Sequence, residues 1–232
     1  MRKSIFCLCA SCTLIFAACA GKNESGEIEG IVKKFYSSGY DYEKITTSYE
    51  DDNLVSEVIV EGQIIQEPYK EHVKLVSSTE ESLWDELYYD KNSCTIVKGG
   101  NMQKTPSNPQ KPYGYGEEII YEAPKESILD EKPVTLYDAH YTVDIGKSYQ
   151  IKENLCAVVR QQYYIDPEKR TLIRISTDLT ELNKMNEIAI NISVNEMSYE
   201  EAVAAYEQSG EYRNTEEVNI FNYNNPTEFD EP

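Results

Sequence analysis

Residues Leu54–Gln66 carry apolar side chains in a two-residue rhythm through Val55, Val58, Val60, Ile64 and Ile65. Successive strand side chains point to opposite faces, so this rhythm fits a strand with one covered and one wet face and gives a helix no continuous apolar stripe. The same reading applies to Tyr42–Tyr49, Tyr69–Ser77, Ser82–Tyr89, Cys94–Lys98, Val134–Val143, Asn154–Ile165, Thr171–Thr177, Met185–Val194 and Val218–Tyr223. In Tyr69–Ser77, Val73 and Leu75 fall on one face and His72, Lys74 and Val76 on the other. In Met185–Val194, Ile188, Ile190, Ile192 and Val194 share a face. Short polar corners separate several runs: Asp51-Asp52-Asn53, Pro68, Asp90-Lys91-Asn92 and Asp166-Pro167-Glu168-Lys169. Such short connections imply antiparallel neighbours, because parallel strands need long crossovers. The aromatic content agrees: 19 Tyr stand against 5 Phe and 1 Trp, and tyrosine suits a pleated surface that keeps its hydroxyl wet.

Two segments read as helices. In Glu24–Ser37, Ile28, Ile31, Val32 and Phe35 fall at helical spacing, and Gly39 ends the run. In Ser198–Gln208, Ser198 and Glu201 form a capping box, Ala202, Val203 and Tyr206 form the inner stripe, and Gly210 stops it. Lys104–Gly116 holds three prolines and two glycines and reads as a loop, either a flap over one sheet edge or a linker between two domains. Glu117–Tyr121 is a short apolar piece. Ala123–Glu131 reads as a helical turn opened by Pro124. The fold class expected is α+β: one strongly curved antiparallel sheet of about nine to eleven strands with two helices on its concave face.

The first twenty residues form a different region. Arg2 and Lys3 precede an apolar stretch from Ser4 to Ala18. This is the layout of a secretory signal peptide and is too short to span a bilayer. The stretch ends at Phe16-Ala17-Ala18-Cys19 and resembles the lipobox of bacterial lipoproteins, in which the cysteine thiol is acylated. The alternative is plain secretion with cleavage after Ala20, using Ala18-Cys19-Ala20. The expected organisation is a signal peptide over 1–18, a lipidated Cys19 with a polar tether over 19–26, and one domain over 27–232. The chain would sit on the extracytoplasmic face of the cell membrane, held through its lipid.

Acidic residues number 41 against 22 basic ones, for a net charge of −19. Loss of Arg2 and Lys3 with the leader makes the balance more negative still. Such a surface repels nucleic acid and anionic lipid heads, so neither is an expected partner. Cys7, Cys9 and Cys12 leave with the leader, and Cys19 is the lipidation site. Cys94 and Cys156 remain, and both readings stay open for them: a disulfide, or two free thiols. No catalytic residue, metal-ligand set or cofactor motif is read. His72 and His140 stand in different runs with no convergent partners. No nucleophile elbow, P-loop or dinucleotide fingerprint occurs.

Several stretches carry a family likeness. Val60-Glu61-Gly62-Gln63-Ile64-Ile65-Gln66-Glu67-Pro68-Tyr69 reads as strand, turn and strand, and Leu87-Tyr88-Tyr89-Asp90 follows in a hairpin. Much later come Tyr163-Tyr164-Ile165-Asp166-Pro167-Glu168-Lys169-Arg170-Thr171-Leu172, then Phe221-Asn222-Tyr223 and Pro226. With the lipobox, this order resembles the half-barrel lipoproteins of the LolA, LolB and LppX group, which include small lipoproteins of Gram-positive bacteria. The resemblance implies a curved sheet plugged by a helix and a non-enzymatic role in binding or carrying a hydrophobic molecule such as a lipid. It transfers no binding residue, because the group recognises ligands by shape. The alternative function is an envelope adaptor or sensor with a filled core, acting through a protein partner.

Overall fold

The alternating runs become strands of one antiparallel sheet. The computed structural model describes residues 26–50, 53–79, 81–107, 118–208, 213–222 and 229. The leader, Cys19 and the start of the tether lie outside the described residues. The strands are β1 (Tyr40–Glu50), β2 (Asn53–Gln66), β3 (Tyr69–Ser78), β4 (Glu86–Asp90), β5 (Ser93–Lys98), β6 (Asn101–Pro106), β7 (Ile120–Tyr121), β8 (Lys125–Leu129), β9 (Lys132–Asp144), β10 (Cys156–Asp166), β11 (Thr171–Asp178) and β12 (Arg213–Asn222). Helix α1 covers residues 26–36. The others are α2 (Ile145–Tyr149), α3 (Thr180–Ser193) and α4 (Tyr199–Gln208).

The sheet order is β6-β5-β4-β3-β2-β1-β12-β11-β10-β9-β7, with β8 also paired to β9. Among the described residues the two edges do not pair with each other, so the sheet is open. β12 bonds β1 on one side and β11 on the other, which joins the first meander to the second. Strands before and after residues 108–117 therefore belong to the same sheet.

Helix α1 shows the curvature. Its Ile28, Val32 and Phe35 pack in one cluster with Ile64 of β2, Tyr137 and Ala139 of β9, Tyr163 and Ile165 of β10, and Leu172 and Ile175 of β11. Five inter-strand steps separate β2 from β9. In a flat sheet that is about 24 Å, whereas a helix with its side chains is about 10–12 Å across. The sheet must wrap around α1 for both strands to reach it. Arg170, after the β10–β11 turn, pairs with Glu27 and ties that turn to the helix.

The concave face follows from the alternation. In β10, Ala157, Val159, Gln161, Tyr163 and Ile165 are all buried. Tyr163 and Ile165 meet α1 at one end of the strand. Ala157, at the other end, meets Ile188 and Ala189 of α3 and Ala202 and Tyr206 of α4.

Four expectations are corrected. Met185–Val194 is helical, within α3. Its Ile188 and Ala189 are buried, Leu182, Met185 and Ile192 pack beside them, and Ile190 and Val194 are exposed. That spacing is 3.6 rather than two. Asp178 Oδ1 accepts the Thr180 N–H at 3.0 Å and starts the helix. Ala123–Glu131 is not a helical turn: Lys125–Leu129 pairs with β9. The two-residue connection, Asp130-Glu131, has φ of 49° and 65°, the left-handed pair that a tight hairpin needs. The described residues hold twelve strands and four helices rather than nine to eleven and two. Lys104–Pro106 lies in edge strand β6 rather than in a loop.

Candidate ligand-binding face

Three zones line the concave side. At the α1 end, Phe35 stacks against Tyr40 and Phe221 with ring centroids 4.2 and 4.4 Å apart, and Tyr121 meets Tyr163 edge-on at 5.4 Å. Burial pushes the Tyr121 hydroxyl up to about 12. This end is filled by protein.

A polar belt crosses the middle. Tyr163 Oη donates to Gln161 Oε1 at 2.7 Å, and Gln161 Nε2 donates to Thr177 Oγ1 at 3.1 Å. Glu217, only 4% exposed, takes a 2.9 Å bond from Asn219 Nδ2 and faces Lys44 Nζ at 3.7 Å. Buried polar groups must be satisfied or they destabilise the fold, and this belt meets that demand with a cation beside its carboxylate.

The third zone is apolar. Val60, Val73, Tyr89 and Cys94 are buried, and Val58, Leu75, Trp84, Leu87 and Ile96 pack against them. These residues lie on β2, β3, β4 and β5 or just before β4. Cross-strand register puts Val60 beside Leu75, Val73 beside Leu87 and Leu87 beside Ile96. The cluster contains no residue of α1–α4. Helices α2 and α3 pack toward β10, and α3 also toward β12. Val58, Leu75, Trp84, Leu87 and Ile96 stay half-buried. The result is an apolar stripe across four strands with accessible surface left on it.

Glu71 stands at the border of this stripe. It shares the inward phase of β3 with Val73 and Leu75, and it is 6% exposed. Tyr42 Oη donates to its Oε1 at 2.7 Å and Tyr69 Oη to its Oε2 at 2.6 Å. Burial first, then the adjacent Glu71 carboxylate, holds both phenols well above the ordinary tyrosine value, so both remain protonated donors. Gly62 makes the Tyr42 contact sterically possible. It pairs directly with Tyr42, and a Cβ there would lie 2.1 Å from Tyr42 Cζ. Only glycine lets the ring cross β2 to reach β3.

The convex face carries a depression of about 930 Å³ lined in part by His140, Arg160, Asp178, Ser176, Gln162 and Glu216. Elsewhere on that face, His72 Nε2 lies 2.9 Å from Glu86 Oε2 and its ring stacks on Tyr88 at 4.3 Å.

Cys94 and Cys156 are both free thiols. Six strands separate β5 from β10 in the sheet order. Burial raises the Cys94 thiol, while the Cys156 thiol donates to Asn154 Oδ1 at 3.5 Å. His72 and His140 sit on β3 and β9, with five strands between them in that order. Among the described residues no group of His, Cys, Asp or Glu is placed to hold a metal ion. Among them, too, no helix is long and apolar enough to cross a membrane. Sequence reading missed Glu71 and Glu217. The signal was present: each is a carboxylate in the inward phase of its strand, two residues from an inward apolar or polar neighbour. The ring-over-glycine contact left no signal, because it depends on which strand lies beside which.

No protein-family model and no curated protein matches the sequence. Among solved structures, the chain is similar to the lipoprotein LppX of Mycobacterium tuberculosis, at 10% identity and a TM-score of 0.48, over 88% of this chain and 97% of that one. It is similar to a LolA superfamily protein of Nitrosomonas europaea at 7% identity and a TM-score of 0.31, over 67% of this chain and 76% of the other. It is also similar to a DUF1329 family protein of Desulfovibrio piger at 7% identity and a TM-score of 0.31, over 68% of this chain and 72% of the other. Each of these is a likeness of fold alone.

Proposed function

We propose that this protein is an envelope lipoprotein that holds a hydrophobic molecule, unchanged, against the concave face of its half-barrel. The observation that carries the proposal is the apolar stripe over β2–β5, half-buried and, among the described residues, joined by no helix residue. Fully packed cores leave little accessible apolar surface, and an apolar concavity with a few polar groups at its border is the usual form of a small-molecule site. A row of aliphatic side chains across four strands suits an alkyl chain laid across the sheet, at about 0.8 kcal/mol per buried methylene. The leader supports the location. Acylated Cys19 would anchor the chain, and residues 19–26 would hold the domain clear of the bilayer. The acidity of the chain disfavours electrostatic retention on anionic lipid.

Native mass spectrometry of protein purified from cells tests the ligand. A lipid-sized adduct that leaves on activation is expected. A bare mass, with no uptake of a long-chain alcohol in solution, overturns the reading. The anchor is tested separately with Cys19→Ser. Loss of the acyl mass and release from the membrane fraction are expected, since serine offers no thiol to acylate. Unchanged membrane retention would refute lipidation at this site.

A second reading, an adaptor acting through a protein partner, draws on the convex depression. Its mixed lining of Arg160 and His140 against Asp178 and Glu216 suits polar contacts rather than an alkyl chain.

A further inference from the structure

Two carboxylates are buried on the concave face, and they are treated differently. Glu217 has Lys44 and Asn219 beside it. Glu71 has only two neutral hydroxyls, from Tyr42 and Tyr69, and no cation among the described residues. A buried carboxylate without a counter-charge is costly. The two tyrosines lower that cost and fix the orientation of the carboxylate. They occupy one acceptor position on each oxygen, and an ionised carboxylate has about four in all.

The surroundings suit a cation. Tyr40 lies 6.2 Å from Tyr42, ring centre to ring centre, and Tyr89 is the cross-strand partner of Glu71. Two tyrosines thus hold the carboxylate through their hydroxyls and two more adjoin them, an aromatic border of the kind that tolerates an ammonium group. Val73, two residues along β3, is roughly 7 Å away and begins the apolar stripe. A charged border next to an aliphatic stripe defines a molecule with an ammonium head and an alkyl tail.

We infer that Glu71, with Tyr42 and Tyr69, receives the ammonium head of an amphiphile whose tail lies along Val73, Leu75, Leu87 and Ile96. This rests on the hydrophobic-ligand reading above and specifies its head group. The head supplies the charge that Lys44 supplies to Glu217. Anionic amphiphiles are rejected at the same point, because their head would meet Glu71 at close range.

The test is a head-group series at constant tail length: dodecylammonium, dodecanol and dodecanoate, each below its micelle concentration, titrated by calorimetry in 0.3 M salt, where a Debye length of roughly 6 Å screens attraction to the surface at large. Dodecylammonium should bind at least about tenfold more tightly than dodecanol, the scale of one charge-assisted hydrogen bond, and dodecanoate most weakly. Glu71→Gln should bring ammonium and alcohol to within about threefold. Glu126→Gln, which removes an exposed charge, should change nothing. Far-UV circular dichroism checks that each variant is folded, and if Glu71→Gln fails to fold the wild-type series decides alone. Equal binding of the three heads, or an effect of Glu126→Gln as large as that of Glu71→Gln, overturns the inference and leaves the hydrophobic-ligand reading standing. No binding of any of the three overturns both.

Discussion

Gly62→Ala perturbs the concave face at its tightest point. The new methyl carbon would lie 2.1 Å from Tyr42 Cζ, 2.3 Å from Cε1 and 2.5 Å from Oη. No carbon pair tolerates that approach, so the ring must swing off β2. Tyr42 then loses its 2.7 Å bond to Glu71. A hydrogen bond to a charged group is worth about 1.5–3 kcal/mol, and Glu71 stays buried with one donor in place of two. Forcing the ring from its rotamer adds about 0.5–1.5 kcal/mol. Against this, replacing glycine by alanine in a strand restricts the unfolded chain and returns about 0.4–1 kcal/mol. The net is a loss of about 1–4 kcal/mol. In a chain of this size that lowers the melting temperature by about 2–16 °C, at about 2–4 °C per kcal/mol. Urea unfolding followed by circular dichroism and by Trp84 fluorescence measures it. Tyr42→Phe should cost a similar amount, and the double variant clearly less than the sum, because both changes remove the same bond. A neutral or stabilising Gly62→Ala, or strict additivity with Tyr42→Phe, would refute the reasoning.

The sheet was legible because most of its strands cover one face only. Residues 54–66, 69–77 and 154–165 alternate in sequence, and the fold keeps their phases. Residues 185–194 misled because isoleucines at 188, 190 and 192 keep a two-residue rhythm, although only Ile188 and Ile192 share the buried helical face. Leu182 and Met185 break the tie: with Ile188, Ala189 and Ile192 they make one helical stripe. The β8–β9 hairpin was hidden for a chemical reason. Its turn requires two left-handed residues and uses Asp130 and Glu131, where asparagine and glycine would have announced it. The candidate site was legible residue by residue but not as a site. Glu71 is visible as a carboxylate in an apolar phase, yet its two partners come from β1 and from its own strand, and only the register β1–β2–β3 brings Tyr42 to it. Contacts that cross an intervening strand are set by tertiary pairing, and local pattern does not record them.

Three further outcomes follow from the structure. Ile188→Ala, at a site 1% exposed, should destabilise by about 2–5 kcal/mol, whereas Ile190→Ala, at 42% exposure, should stay within about 0.5 kcal/mol; similar losses at both sites in denaturant titrations would favour a strand there. Iodoacetamide should modify Cys156 in the folded protein and Cys94 only after unfolding, since Cys94 is 4% exposed, and a peptide joined through both would refute the free-thiol assignment. The last concerns acid. Asp90, in the β4–β5 turn, accepts the Asn92 and Ser93 N–H groups at 2.7 Å each and the Ser93 hydroxyl at 2.7 Å. The Asn92 amide and the Ser93 hydroxyl are the main causes holding its carboxyl at about 2 against an ordinary 3.8. A folded-state value below the unfolded one means that the folded form binds the proton less readily. The turn's contribution is therefore complete above pH 3.8, declines as the pH falls, and is gone below about 2. A carboxyl carbon-13 titration of the folded protein should place Asp90 near 2, and Asn92→Pro, which removes one of the donors, should move it back toward 3.8. A midpoint at the ordinary value in the intact protein would show that these bonds do not hold the charge.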